Sequence, residues 1–496
     1  MRVDFTAPTS TDADDAARHA GIDYALAEAD ALDGLTDSQR AAVVAPATPL
    51  LVLAGAGTGK TKCLVSRIAY KIATRQSLPS DVLAMTFTRK AAAQMKKRLA
   101  AAIGPTAQAM DIGTFHATSA RLLRNNAQFA GLEQNFTVFD ADDQRACVRE
   151  ILEEVPDDEI RGADDALRAI ERYKTAVCLA DGPWSVPTPP PFIQIYEAYC
   201  RRANALDYTD IITWAIRMFR DAPNVTEWYR QTWPTILIDE YQDTNPLQEA
   251  SLDLLSPPET PHDLTCVGDD DQSIYRFREA DIGNILNFAN KRPGAQIVRL
   301  EQNFRSTSDI LDYANHIISY NATRHGKTLY TQKKQSDCVT ILSGEDAPQN
   351  EYEESRLIVD RIARLVSAGV DPAEIAVISR TAMTLGPIQP MLSARAIPFT
   401  VTAGRKFTET IEIREIVAHL RLMLNPSDDR AFITALSAKK RKFGKASQEK
   451  MIAAANLAGV SYLTLLRGWI EEGRFTGEKL AQIESFLAFI DTLNDA

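Results

Sequence analysis

At 496 residues the chain is longer than a single hydrophobic core supports, so about two to four domains are expected. Hydrophobic residues at 45% and charged residues at 24% suit a globular chain, and no apolar run approaches the ~20 residues of a bilayer crossing, which excludes a membrane protein. The net charge of −11 argues against a nucleic-acid partner only if the charge is spread evenly, and it is not.

Residues 1–33 carry eight acidic and two basic side chains with few apolar ones, and read as an acidic flexible extension. They lack the basic start and apolar core of a secretory signal, and the six cysteines include no Cys-x-x-Cys pair, so a reducing cytoplasmic setting is expected. The six histidines cluster with neither cysteines nor carboxylates, which leaves no zinc or iron–sulfur pattern.

Residues 50–53 read as a buried strand and residues 63–72 as a helix, with Ala54-Gly55-Ala56-Gly57-Thr58-Gly59-Lys60-Thr61 between them. Glycines on a strand-to-helix turn let backbone N–H groups face phosphate oxygens, and the helix N-terminus adds partial positive charge. Lys60 then reaches the terminal phosphates of a nucleoside triphosphate and Thr61 holds Mg²⁺. A strand at 82–87 follows, entering a stretch, 86–100, with five basic and no acidic residues. The text from 116 to 233 is mostly helical, broken by the proline-rich 184–192, and reads as an insertion.

Residues 236–239 form a further strand that runs into Asp239-Glu240. In an open parallel sheet both carboxylates then lie at the carboxyl edge, where the phosphate loop also sits. Asp239 suits Mg²⁺, which requires hard oxygen ligands, and Glu240 suits orienting and deprotonating a water. The strand at 264–267 ends in Gly268-Asp269-Asp270-Asp271-Gln272, placing a neutral amide where it can sense a γ-phosphate. A second α/β stretch, 280–396, carries strand candidates at 296–300, 339–342 and 375–379, and Arg305 after the first of these offers a fork for phosphoryl charge. Helical text runs from 412 onward, with a second basic cluster at Lys439, Lys440, Arg441, Lys442 and Lys445.

Seven segments, in order, resemble the superfamily 1 DNA helicases of the UvrD/Rep/PcrA type. Gln39 in Leu35-Thr36-Asp37-Ser38-Gln39-Arg40 is similar to the family's adenine-reading glutamine. Beyond the phosphate loop, Thr86-Phe87-Thr88-Arg89-Lys90 and Gly113-Thr114-Phe115-His116 resemble its DNA-contacting motifs. Asp207-Tyr208-Thr209-Asp210-Ile211, Asp239-Glu240-Tyr241-Gln242-Asp243, Gln272-Ser273-Ile274-Tyr275-Arg276-Phe277-Arg278 and Gln302-Asn303-Phe304-Arg305 complete the set.

The resemblance implies an α/β fold of two RecA-like parallel sheets, the second incomplete, with mostly helical inserted subdomains. Residues 34–115 with 205–280 would form the first ATP-binding domain and 116–204 a helical DNA-binding insertion. Residues 281–396 would form the second, incomplete motor domain, and 397–496 the start of its helical insertion. It implies ATP and Mg²⁺ as cofactors, with Phe304 on adenine, Gln272 and Arg305 on the γ-phosphate, and the metal on Thr61 and Asp239. It further implies 3′-to-5′ travel on single-stranded DNA and action at single-strand/duplex junctions in repair or replication restart. Phe87, Tyr275 and Phe277 would stack on bases, with Thr88, Lys90, Thr114, His116 and Arg278 as further DNA contacts.

The chain departs from the family at Phe277, where tryptophan is common, at Phe304 for tyrosine, at Arg89 for asparagine and at Glu279 for glycine. The family's later Lys-Gly-Leu-Glu and Thr-Arg-Ala segments have no counterpart, so the resemblance implies a C-terminally incomplete motor. Three explanations stand: a fragment, a split helicase completed by a second polypeptide, or a nucleotide-gated DNA-binding module.

Overall fold

The computed structural model describes residues 24–180, 188–260, 263–335, 339–343, 347–402, 410–437 and 444–494. Most of the expected acidic extension, part of the proline-rich break and the basic cluster Lys439, Lys440, Arg441 and Lys442 therefore lie outside the described residues.

Among the described residues eight strands run in chain order: β1 Leu50–Ala54, β2 Val82–Thr86, β3 Asp111–Thr114, β4 Thr137–Val138, β5 Ala205–Leu206, β6 Thr235–Ile238, β7 Asp263–Gly268 and β8 Gln296–Leu300. Six of them make one parallel sheet in the order β3-β2-β6-β7-β1-β8, while β4 and β5 pair separately. The central strands read as unbroken apolar runs because both faces are covered. Side chains alternate between the faces: Leu51, Leu53, Ile236 and Ile238 enter one core with Phe219 and Trp233, whereas Leu50, Val52, Ala54 and Leu237 enter another with Ile68 and Leu99. Register pairs Leu53 with Gly268, Ala54 with Leu300, Met85 with Ile238 and Thr86 with Thr114. The segments that leave these strands consequently start from one edge.

The chain divides into two compact units, residues 1–336 with 418–496 and residues 337–417. This division falls elsewhere than at the expected boundaries after residues 280 and 396. One reason is β8, expected to open a second sheet, which instead pairs with β1 as the edge of the first. Another is that residues from 418 onward share a core with the helical insertion, where Leu422, Phe432, Tyr462 and Phe486 pack with Phe139, Cys147, Phe192 and Tyr196. Polar ties reinforce that core: Arg421 meets Asp143 at 2.7 Å, and Asn425 Nδ2 donates to the carbonyls of Ala203 and Asn204 at 3.0 and 3.1 Å.

The strands expected at 339–342 and 375–379 are corrected: both segments are irregular, and no second large sheet forms among the described residues. An apolar run becomes a strand only where a neighbour hydrogen-bonds with its N–H and C=O groups, and neither segment has one among the described residues. Ile341 is 60% and Ile378 91% exposed. Ile375 and Val377 instead lie against a small core of Val359, Ile362, Ile388 and Leu392 from two helices, Glu351–Ser367 and Ile388–Ala394. The helical reading beyond 412 holds, with helices Ile411–Leu424, Asp429–Ser437, Lys445–Ala458, Tyr462–Glu471 and Gly477–Asn494. Among the described residues no helix is long and apolar enough to cross a membrane.

Candidate nucleotide and nucleic-acid site

The expected phosphate loop joins β1 to the helix Lys60–Ala73. Gly57 and Gly59 are left-handed, at φ +69° and +88°, and both are approached closely. A Cβ on Gly57 would lie 2.6 Å from Asn303 Nδ2 and one on Gly59 2.8 Å from Gln39 Nε2. These two positions need glycine for backbone and for space. Thr58 braces the loop internally, its hydroxyl donating to the Gly55 carbonyl at 2.8 Å, and Ala54 and Gly55 are buried.

Three further segments grip the loop. Gln39, the third residue of the helix Asp37–Val44, accepts from the Thr36 N–H and donates through Nε2 to the Thr58 carbonyl at 2.8 Å. It is 2% exposed, and its side chain supports the loop through that bond. Asn303 Nδ2 donates to the Ala56 carbonyl at 2.6 Å, and the Phe304 N–H donates to that of Gly57 at 2.9 Å. Asn303 Oδ1 also accepts from the N–H groups of Arg305 and Ser306. The Phe304 ring, 45% exposed, and the Arg305 side chain stand outward. Asn303 was missed by sequence reasoning. It lay within a quoted motif, but no spacing rule marks a buried amide as a clamp.

At the end of β6, Lys60 Nζ meets Glu240 Oε2 at 2.9 Å. Thr61, the next residue of the helix, is half-buried. Glu240 is itself left-handed, at φ +54°, a conformation that costs a non-glycine residue free energy and turns its carboxylate toward the loop. Burial works against its charge, but Lys60 and donation from Gln242 outweigh that and hold its carboxyl below the usual range. Asp239 differs: burial, then Glu240, push its carboxyl up to about 6. Asp243 is likewise raised to about 6, by burial and then by Glu240.

Gln242, 1% exposed, ties the two acidic strand ends together. Its Nε2 donates to Glu240 at 2.9 Å, and its Oε1 accepts from the Asp269 N–H at 2.9 Å. Gln272, on a short turn after β7, donates through Nε2 to Asp269. Asp269, Asp270 and Asp271 bring carboxylates within 4.8 Å of one another, a grouping able to hold a metal. Lys327 fills that role instead, its ammonium 2.7, 2.6 and 2.7 Å from the three in turn.

Because the native carboxyl of Asp239 titrates near 6, above an ordinary aspartate, its ionisation costs the folded state stability as pH rises from about 4 through 6. Asp239→Asn, melted without nucleotide or divalent metal, is therefore expected to be more stable than wild type by on the order of 2 kcal/mol at pH 8. The gain should shrink at pH 5, which paired thermal melts will read.

On the same carboxyl edge, the aromatic residues proposed for DNA form one cluster. The Phe87 and Tyr275 ring centroids are 4.7 Å apart and those of Tyr275 and Phe277 5.8 Å, with Arg278 over both of the latter at 5.5 and 5.8 Å. Phe277 is 69% exposed. Thr88 and Thr114 cap the helices Arg89–Ile103 and Phe115–Asn125, and Lys90 projects from the first turn of the former. His116 packs edge-on to Tyr208 at 5.7 Å, and burial lowers its imidazole pKa.

A glycine turn between a buried parallel strand and a helix, facing two acids at the end of a strand one place removed in the same sheet, defines an α/β fold of the P-loop nucleotide-binding class. The chain belongs to the UvrD/REP helicase family. The UvrD/REP helicase N-terminal domain matches residues 35–293 and the UvrD-like helicase C-terminal domain residues 298–478. The chain is 33% identical over 479 residues to DNA helicase II of Salmonella typhimurium, covering 93% of this chain and 64% of that protein. It is 35% identical over 448 residues to the ATP-dependent DNA helicase PcrA of Bacillus subtilis, covering 88% and 59%. To a probable DNA helicase II homolog of Rickettsia felis it is 34% identical over 477 residues, covering 94% and 72%. The chain thus spans under two thirds of the length of the first two relatives.

Proposed function

We propose that this chain binds ATP with Mg²⁺, hydrolyses it, and uses the cycle to move 3′-to-5′ along single-stranded DNA, opening junctions with duplex during repair or replication restart. The observation that carries this reading is the Lys60–Glu240 pair, which sets a phosphate-binding ammonium against a candidate base. Asp239 and Thr61 supply hard oxygen donors for Mg²⁺, and a cation there relieves the buried charge that raises the Asp239 carboxyl. Phe304 and Arg305 stand outward beside the loop, open to a base and to phosphate. The aromatic cluster of Phe87, Tyr275 and Phe277 offers stacking without sequence preference, worth about 1–3 kcal/mol per base. Thr88, Lys90, Thr114, His116 and Arg278 add polar and basic groups for the strand.

The test is ATP hydrolysis with and without single-stranded DNA, joined to strand displacement on substrates with a 3′ or a 5′ tail. Stimulated turnover with displacement from the 3′ tail alone is expected. Nucleotide binding with unstimulated turnover would overturn the motor reading.

Glu279 is a second point of leverage. It adopts φ +60°, a left-handed geometry costing an L-residue roughly 1–2 kcal/mol, and its charge helps burial raise the Glu171 carboxyl to about 6. Glu279→Gly relieves the strain but adds about 0.5–1 kcal/mol of unfolded-chain entropy, so stability should change by less than about 1 kcal/mol. Removing a negative charge next to the aromatic cluster should instead tighten single-stranded DNA binding several-fold at low salt. Anisotropy titrations at two salt concentrations will show it, and the gain should fade at the higher one.

A further inference from the structure

Lys327 follows no motif, and its side chain is 1% exposed, its ammonium among three carboxylates about 57 residues earlier in the chain. Burial opposes its charge, but Asp269, Asp270 and Asp271 hold it protonated. Arg324 closes the same group with a two-point contact to Asp271 at 2.8 and 2.6 Å, and the His325 N–H donates to Asp270 at 2.7 Å.

Two chains of contacts leave this ammonium. Through Asp269 it reaches the Gln272 amide directly, and by way of Gln242 it reaches Glu240 and Lys60. Through its own backbone it reaches the other side of the loop. Leu329 packs on Gly55 so closely that a Cβ there would fall 2.3 Å from its Cδ2. The Asn303 N–H donates to the Tyr330 carbonyl at 2.7 Å, just ahead of Phe304 and Arg305. One short segment therefore braces both groups that would face the terminal phosphate.

We propose that Lys327 is a positioning residue for the γ-phosphate end of the nucleotide site. Its ammonium fixes Asp269. Asp269 in turn binds one N–H of the Gln272 amide, leaving the other to donate to the phosphate. ADP lacks the group that Gln272 would meet, so the effect is confined to triphosphates. The inference rests on the ATP reading above and names a determinant of triphosphate over diphosphate preference.

The experiment measures binding of ATPγS and of ADP to the full chain, each with Mg²⁺, for wild type, Lys327→Met, Lys327→Arg and the charge-balanced double variant Lys327→Met with Asp270→Asn. ATPγS affinity is expected to fall about tenfold in Lys327→Met while ADP affinity holds within about threefold, with partial recovery in Lys327→Arg. The double variant keeps the net charge of the cluster, so it reports even if the single variant fails to fold, and it should show the same selective loss. Equal loss of both nucleotides, or a wild-type ratio in the double variant, would overturn the proposal while leaving the ATP reading intact. Wild-type protein that binds neither nucleotide would overturn both.

Discussion

Lys60→Ala is expected to remove DNA-stimulated ATP turnover, lowering kcat by at least about 10²–10³-fold, with little change in stability. The two halves of that expectation have different causes. Lys60 is 14% and Glu240 34% exposed, so their pair is partly solvated and worth at most about 1 kcal/mol to the fold. The ammonium is nonetheless the cation directly paired to the acidic strand end, next to which Asp239 and Asp243 are already hard to ionise. Without it, a triphosphate meets carboxylates with their counter-charge gone. In the proposed cycle, bound phosphate would compete with Glu240 for Lys60 and free Glu240 to hold water. Loss of Lys60 should therefore weaken binding and chemistry together. Steady-state hydrolysis, a nucleotide titration and a thermal melt on one preparation separate these effects. A variant with near-normal turnover would remove Lys60 from the reaction.

The loop that carries Lys60 was legible because its requirements are local. Left-handed backbone at Gly57 and Gly59, a preceding apolar run and a following helix all fall within about twenty residues. The acids at 239 and 240 were legible for the same reason, as the end of an apolar strand. What stayed hidden depends on partners far along the chain. Lys327 sits in an ordinary polar stretch, and its partners precede it by over fifty residues. Gln39 was read as an adenine contact, and what the sequence did not disclose is that its amide also caps its own helix and holds the loop. The segments 339–342 and 375–379 looked like strands because apolar alternation reports a suitable face, while a ladder also requires a neighbour. β8 had the right pattern and found one, at the edge of the first sheet.

Lys174→Met is expected to destabilise the protein by about 3–5 kcal/mol, the largest stability change foreseen for a single substitution here. Lys174 lies in the helix Ala163–Leu179 of the insertion, and its ammonium meets Asp207 and Asp210, both at 2.7 Å. Those aspartates form the reciprocal cap of the helix Tyr208–Asp221, Asp207 accepting from the Asp210 N–H at 2.8 Å and Asp210 from that of Asp207 at 3.2 Å. Tyr196 adds a hydroxyl to Asp207 at 3.1 Å. All are buried, so removing the cation strands two carboxylates away from water. Even with Lys174 present, burial and then Asp207 raise the Asp210 carboxyl to about 7, while Lys174 and its hydrogen bonds hold Asp207 low against burial. Raised native carboxyls cost stability as pH climbs through them, so without Lys174 the deficit should be larger at pH 8 than at pH 5. Adding Asp210→Asn to Lys174→Met should recover part of the loss, more than the two single effects would sum to, because one stranded charge is gone. Urea unfolding of the four proteins at both pH values checks the sign and the coupling. A Lys174→Met protein as stable as wild type at pH 8 would mean that the insertion is held to the sheet by its apolar core alone.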